Sequence, residues 1–254
     1  MYKRKLGVMG GALLVVLSMI VIGCKGLGSG DEDVESVKKY DKVWTKENSS
    51  GTDYLRFFEQ FGTNKKVKTA TVELKVSNAK NSRAGLVFGL NENEDKTVSF
   101  YVLGVGANAS TGKPLYYLDY YAALDPTAMS KTTANDSLGV DPVSLVGGTA
   151  GLEYFTDSNV KVAGDGSMSV VVKIDMNDKN AIKVSIGSTK DKMNTEIPAF
   201  AHKVAGAKDA LGGIGAYGML RPTSSGGTII KTVNNYTVLE SDPNRTLLAA
   251  EDAE

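Results

Sequence analysis

Four tyrosines surround one acid in the short stretch 114–122: Tyr116, Tyr117, Asp119, Tyr120 and Tyr121. A flat aromatic ring beside polar groups can stack on a sugar or fill a protein hot spot. Tyrosines are also ordinary strand residues, so packing is the competing reading. Side chains alternate between the two faces of a strand. Tyr117, Asp119 and Tyr121 then share one face, and Tyr116, Leu118 and Tyr120 share the other. The first set is the candidate ligand face, on the condition that this face is wet.

Other acids raise a second chemistry. Calcium is bound by carboxylates and carbonyls on loops. Glu92, Glu94 and Asp95 cluster in a turn-like stretch and form one candidate calcium set, with Asp157 and Asp165 as others. The bland alternative for each is a solvated turn acid, and the full EF-hand pattern is absent. Nothing in the chain demands a cofactor; calcium is the one it leaves open. Glycoside hydrolysis needs two positioned carboxylates, and no pair nominates itself.

Four further chemistries are excluded or set aside. A Ser-His-Asp triad needs a histidine base, and His202, the single histidine, lies between Ala201 and Lys203 with no nucleophile-elbow sequence in the chain. A histidine-rich zinc site fails on the same count. Residues 102–109 fit G-x-G-x-x-A after a strand, but a dinucleotide site needs a helix to follow. Here Ser110-Thr111-Gly112-Lys113-Pro114 follows, so the stretch reads as a turn. The phosphate-loop spacing is also one residue too long, and Pro114 stands where Ser or Thr is needed.

The amino terminus decides where such chemistry would operate. Lys3, Arg4 and Lys5 precede an uncharged run over residues 6–23, which ends at Cys24, the one cysteine of the chain. A basic segment, an apolar segment and a small residue before the cut describe a secretory signal. Val21-Ile22-Gly23-Cys24 resembles the lipobox of bacterial lipoproteins. That resemblance implies cleavage before Cys24, acylation of its thiol and its amino group, and a membrane held through this anchor. The alternative is an uncleaved anchor, since about 18 apolar residues can just span a bilayer. With Cys24 acylated, no thiol remains for a disulfide, a nucleophile or a metal.

Acidic and basic residues balance at 29 each over the whole chain. Without Lys3, Arg4 and Lys5, 26 basic residues face 29 acidic ones, a net of −3. Nucleic acid would require a basic face, so it is excluded as a partner. Gly is abundant at 28 and Pro scarce at 6. Helical periodicity is hard to find, and short strands joined by Gly- and Asn-rich turns read as a sandwich or barrel.

Elements follow in order. Residues 24–40 read as the acylated cysteine and a flexible acidic tether, because Gly26, Gly28, Ser29, Gly30, Asp31, Glu32, Asp33 and Glu35 cannot bury a core. The folded domain is expected over 41–240, with a tail over 241–254. Trp44 falls at its start, as core or edge packing. Residues 54–61 are a strand candidate. Ala70, Val72, Leu74 and Val76 alternate with polar residues, which is a strand dry on one face. Residues 84–90 and 98–102 flank a turn and read as a hairpin. Residues 124–151 read as a long excursion loop, of the kind that often binds. Residues 168–186 form the clearest hairpin. A short helix is expected near 205–211, then a strand over 212–218 and, over 228–239, a last strand pair or one long strand.

These pieces resemble the concanavalin-A-like and laminin-G-like jelly-roll sandwiches. The resemblance rests on the strand 69–77, the pair 84–90 and 98–102, the hairpin 168–186, and the closing stretches 213–217 and 232–238. It implies an all-β, antiparallel two-sheet β-sandwich over about 41–240. Some jelly-roll glucanases carry closely spaced acids on one strand; this chain has no such strand.

Three functions stand open. The first is a lipid-anchored binding module in the bacterial cell envelope, periplasmic or surface-exposed, recognising glycan or an extracellular or envelope protein without catalysis. The second is a glycan-cleaving or glycan-modifying enzyme on the same fold. The third is a structural envelope lipoprotein.

Overall fold

A computed structural model of the chain describes residues 34–38, 42–48, 54–60, 65–126, 132–133, 142–146, 152–204, 210–221 and 224–241. Strands are numbered in chain order. One sheet contains β1 (Val34–Lys38), β2 (Lys42–Asn48), β4 (Lys65–Val67), β5 (Thr69–Val76), β12 (Met168–Asp175), β13 (Ile182–Gly187), β14 (Thr195–Phe200) and β16 (Ser224–Ser241). The other contains β3 (Tyr54–Gln60), β6 (Ser82–Glu92), β7 (Val98–Ala107), β8 (Pro114–Leu124), β9 (Thr132–Thr133), β10 (Val143–Ser144), β11 (Glu153–Tyr154) and β15 (Gly213–Leu220). Strand order is β1-β16-β5-β12-β13-β14 in the first, with β2 and β4 also on β16. In the second it is β10-β8-β7-β6-β15-β3-β9, with β11 on β8. Pairings within both sheets are antiparallel. The protein is an all-β, two-sheet antiparallel sandwich of the jelly-roll kind.

The alternation in β5 gives one dry face, with Ala70, Val72, Leu74 and Val76 buried. They meet Leu86, Phe88, Tyr101, Leu103, Val105 and Leu118 of the second sheet in the main core. Burying each such aliphatic side chain contributes about 1.5–3 kcal/mol. The two inner strands of the second sheet break the alternation: β7 is buried at every position, and β6 at every position before Asn91. Such strands need cover on both faces. The outer cover is a second cluster of Phe58, Val87, Leu90, Phe100, Val102, Tyr117, Tyr121 and Tyr217, with Val98 and Leu124.

Register explains how that outer face closes. Phe58, Tyr217, Gly85, Gly104 and Tyr117 form one row across β3, β15, β6, β7 and β8. Glycines in the two middle strands leave a trough. Tyr217 and Tyr117 lie into it from either side, and their hydroxyls meet at 3.0 Å. A Cβ on Gly104 would stand 2.2 Å from Tyr117 Cζ. One on Gly85 would stand 2.5 Å from the Leu103 carbonyl oxygen and 2.7 Å from Tyr217 Cδ1.

Several expectations need adjusting. Val34–Lys38 sits in the stretch read as tether, yet it forms β1 on β16. Composition argued for a solvated chain, but backbone pairing to a long neighbour recruits these residues, as context overrides propensity in strands. The stretch 190–212 holds β14, and the closing stretch is one strand, Ser224–Ser241, broken by register shifts. The expected hairpins appear as β6–β7 and β12–β13. After β7 the chain makes a turn over 108–113 and enters β8, with no helix. The signal and lipobox residues, most of the proposed helix near 205–211, the side chain of Trp44 and the tail beyond 241 lie outside the described residues.

The trough makes a prediction. Gly104→Ala is expected to cost about 1–3 kcal/mol or more in urea unfolding, because the new methyl overlaps the Tyr117 ring. The Gly104→Ala/Tyr117→Leu pair is expected to lose less than the two single losses added. Gly85→Ala with Tyr217→Leu is expected to show little such relief, since a backbone carbonyl blocks the site. Strict additivity in the first pair would contradict the packing described.

Candidate functional site

The outer face of the second sheet carries more than apolar cover. One row beyond the tyrosine row, Gln60, Gly215, Val87, Val102 and Asp119 lie across the same strands. β10 extends the row, with Ser144 opposite Asp119. On the other side of the tyrosine row, Arg56 pairs with Met219, and Met219 with Arg83. Arg56 is 3% exposed. Arg83 lies across Gly106, where a Cβ would stand 2.6 Å from its Cδ, and it donates to the carbonyls of Ala79 and Ser82 at 3.1 and 2.9 Å.

Electrostatics follow from this burial. Burial pushes the Asp119 carboxyl up from near 3.8 to about 6, although the Arg56 guanidinium and a hydrogen bond to Ser144 pull it back. Burial lowers the Arg56 guanidinium, but the phenols of Tyr217, Tyr121 and Tyr117 and a hydrogen bond to Tyr217 outweigh it and leave it raised. Tyr117 is held well above the ordinary phenol range, first by burial and then by Tyr217 and Asp119. Tyr121 is raised by burial and by Tyr217, with Arg56 acting in the opposite direction. The face thus offers a carboxyl that titrates near 6, among phenols kept protonated and within electrostatic reach of a permanent cation. That is a group able to hold or release a proton.

The tyrosines of the sequence reading divide between two environments. Tyr117, Asp119 and Tyr121 lie on the outer face, with both tyrosine rings buried and Asp119 half-buried. The condition of a wet aromatic platform is therefore not met by Tyr117 or Tyr121. Tyr120 points into the main core, its ring centroid 5.0 Å from that of Tyr101. Tyr116 packs on Phe155 at 4.8 Å and is raised by burial and then by Glu153.

The acids of the candidate calcium sets are engaged by neighbouring side chains and backbone groups or are exposed. Glu92 Oε1 accepts from Lys96 Nζ at 2.9 Å. Asp95 accepts from the backbone N–H and the hydroxyl of Thr97, which lowers its pKa. Glu94 is exposed. Asp157 is taken up by Asn159 and Asn194, and Asp165 by Ser167. Except for the Asn194 bond, which comes from 37 residues along the chain, these are short-range turn contacts. Among the described residues, no three His, Cys, Asp or Glu side chains form a group that could hold an ion.

His202 has a structural partner in the fold. Tyr101, fully buried, accepts from the Lys203 N–H at 2.8 Å and lies 3.0 Å from His202 Nδ1.

Arg56, Ser144, Phe58 and Tyr217 were not singled out from the sequence. A signal for the first existed: Arg56 alternates with Phe58 and Gln60 in an aromatic strand, an odd place for a solvated cation. Tyr217 was hidden among the glycines of its own strand, and the trough it covers, Gly85 and Gly104, lies on strands distant in sequence.

No family model matches this sequence, and no curated protein sequence does. Among solved structures, similarity is found to a GH43 glycoside hydrolase engineered for endo-xylanase and exo-arabinofuranosidase activity, at 14% identity and TM-score 0.38. The match covers 67% of this chain, which spans 29% of that one. A Bacillus licheniformis beta-glucanase is matched at 9% identity and TM-score 0.37, over 79% of this chain and 91% of that one. A galectin-like protein from Bacillus subtilis is matched at 7% identity and TM-score 0.37, over 80% and 99%. These likenesses concern the fold alone.

Asp119 makes the site testable through stability. The native carboxyl keeps its proton up to about 6, whereas the unfolded chain releases it near 3.8. The native state therefore binds more protons in that window. The stabilisation is fully present below it and is lost as pH rises through about 6. The loss is expected to be about 1–3 kcal/mol. Asp119→Asn is expected to flatten this part of the stability curve and to be more stable than wild type at mildly alkaline pH. An unchanged slope in chemical denaturation at graded pH would contradict the burial of this carboxyl.

Proposed function

We propose that the chain is a lipid-anchored, glycan-acting protein of the bacterial cell envelope, and that it acts through the outer face of the second sheet. One observation carries this reading: Asp119 titrates near 6 on that face, among the buried phenols of Tyr117 and Tyr121 and within electrostatic reach of Arg56. A solvated acid would titrate near 3.8, whereas this one holds its proton to about 6. This one can give a proton to a sugar oxygen or take one from it. The buried phenols stay protonated, and Tyr117 gives its proton to the Tyr217 hydroxyl. The sheet supplies rigidity, since each of these groups stands on a strand.

A second reading, a non-catalytic glycan module, is supported by a specific feature. Among the described residues, the charged group that acts on Asp119 is Arg56, and no second carboxylate joins it. Hydrolysis by a carboxylate pair needs that second group. Turnover without it would require the phenols to share the proton traffic.

The test is a glycan panel offered to the full chain in detergent, with binding and product release both measured. Wild type is expected to turn over at least one glycan, and Asp119→Asn to lose about 100-fold or more of that rate while still binding. Binding without turnover in wild type would establish the second reading. A chain that neither binds nor cleaves any glycan would contradict both.

The anchor is tested separately. In a bacterial host, labelled palmitate is expected to enter the wild-type chain and not Cys24→Ser, and the variant is expected to leave the membrane fraction. Equal labelling of the two would sink the lipobox assignment, and an unlabelled variant still in the membrane would favour an uncleaved anchor.

A further inference from the structure

The ring best placed to meet a sugar is Tyr154, a residue outside the 114–122 cluster. Among the described residues the exposed large hydrophobic side chains are Val143, Leu152 and Tyr154, and Tyr154 is the aromatic one, at 43% exposure. Its position follows from register. Tyr154 lies directly opposite Leu115 in the pairing of β11 with β8. Residues opposed in an antiparallel pair project to the same face. Leu115, Tyr117 and Asp119 alternate along β8, so Tyr154 belongs to the outer face, one strand beyond β8. Ser144 of β10 lies opposite Asp119 in the same manner. The outer border of β8 therefore presents an exposed aromatic at one end and Asp119 with Ser144 toward the other. They are separated by four residues of β8, or about 13 Å at the rise of a strand.

Tyr154 is also held. Asn108, in the turn between β7 and β8, accepts the backbone N–H groups of Ser110 and Thr111 on its Oδ1 at 3.0 and 2.9 Å. Those two contacts settle which amide atom is the oxygen. The amide nitrogen then faces the other way and donates to the Tyr154 hydroxyl at 3.0 Å. An exposed ring fixed in this way has given up its rotamer freedom before any ligand arrives, which is the condition for a preorganised stacking surface.

We propose that Tyr154 is a sugar-stacking subsite, and that the ligand is an oligosaccharide lying along β8 from Tyr154 to Asp119. The proposal rests on the reading that this face acts on glycan, and it adds the ligand's length and direction. One pyranose ring is too short to touch both groups, so a monosaccharide is not the ligand. A chain with an unsubstituted C–H face for the aromatic and hydroxyls toward Asp119 is.

The experiment titrates the full chain in detergent with β-glucan, xylan, alginate and chitin oligosaccharides of graded length, by calorimetry. Wild type is expected to bind the longer members of one series and to lose affinity steeply as the chain shortens. Tyr154→Ala is expected to lose about tenfold on the long members. Tyr154→Phe, which keeps the ring and loses the Asn108 bond, is expected to lose less. Melting curves for both variants control for folding. Equal binding by wild type and Tyr154→Ala would overturn the subsite and leave the outer face standing as a glycan site. Equal affinity for monosaccharide and long chain would overturn the extended ligand. Failure of wild type to bind any series would overturn this inference together with the glycan reading beneath it.

Discussion

The contact between the Tyr117 and Tyr217 hydroxyls, made over two side-chain-free positions, organises the second sheet. A sandwich needs only one dry face per sheet. Here β6 and β7 are dry on both, and the outer one is sealed by aromatic rings lying flat in a glycine trough. That seal lowers the polarity around the polar groups caught at its border. Asp119 is drawn up to about 6 by the loss of water, and Arg56 stays charged, as a guanidinium does throughout the ordinary pH range. Without the seal, the same residues would be an ordinary solvated acid and base. The electrostatics of the site are thus a consequence of packing rather than of any one strong ion pair.

Tyrosine serves three purposes within one domain. Tyr101 is a core residue whose hydroxyl ties β7 to the segment after β14, taking the Lys203 N–H and meeting His202. Tyr117 and Tyr217 build the trough cover. Tyr154 stands in solvent, fixed by Asn108. Residue type and local spacing do not separate these roles. What separates them is the strand that lies alongside and the side chain that strand lacks.

This bears on how much of the protein was legible in its sequence. Strand rhythm was, because period-two burial is local: the dry face of β5 and the hairpins β6–β7 and β12–β13 can be read from residues in sequence neighbourhood. The division of residues 116–121 between two faces was legible for the same reason. The dryness of the outer face was not, because it depends on Gly85 and Gly104 being opposed across a hairpin and on Tyr217, over a hundred residues distant, arriving from β15. Glu92, Glu94 and Asp95 looked like a cluster because sequence gives proximity without direction. In the fold, Glu92 turns to Lys96 and Asp95 to Thr97. Val34–Lys38 looked like tether because composition carries no information about a distant strand with a free edge.

The central claim is that a sealed outer face holds Asp119 ready to exchange a proton near neutral pH. Its most direct test is a carbon-13 titration of the Asp119 side-chain carboxyl in the folded chain, assigned by comparison with Asp119→Asn. The account predicts a midpoint near 6, displaced when Arg56 is replaced by methionine, since the guanidinium is the charge that holds the value back. A midpoint in the ordinary carboxylate range, unmoved by that replacement, would show the face to be wet and would contradict the account.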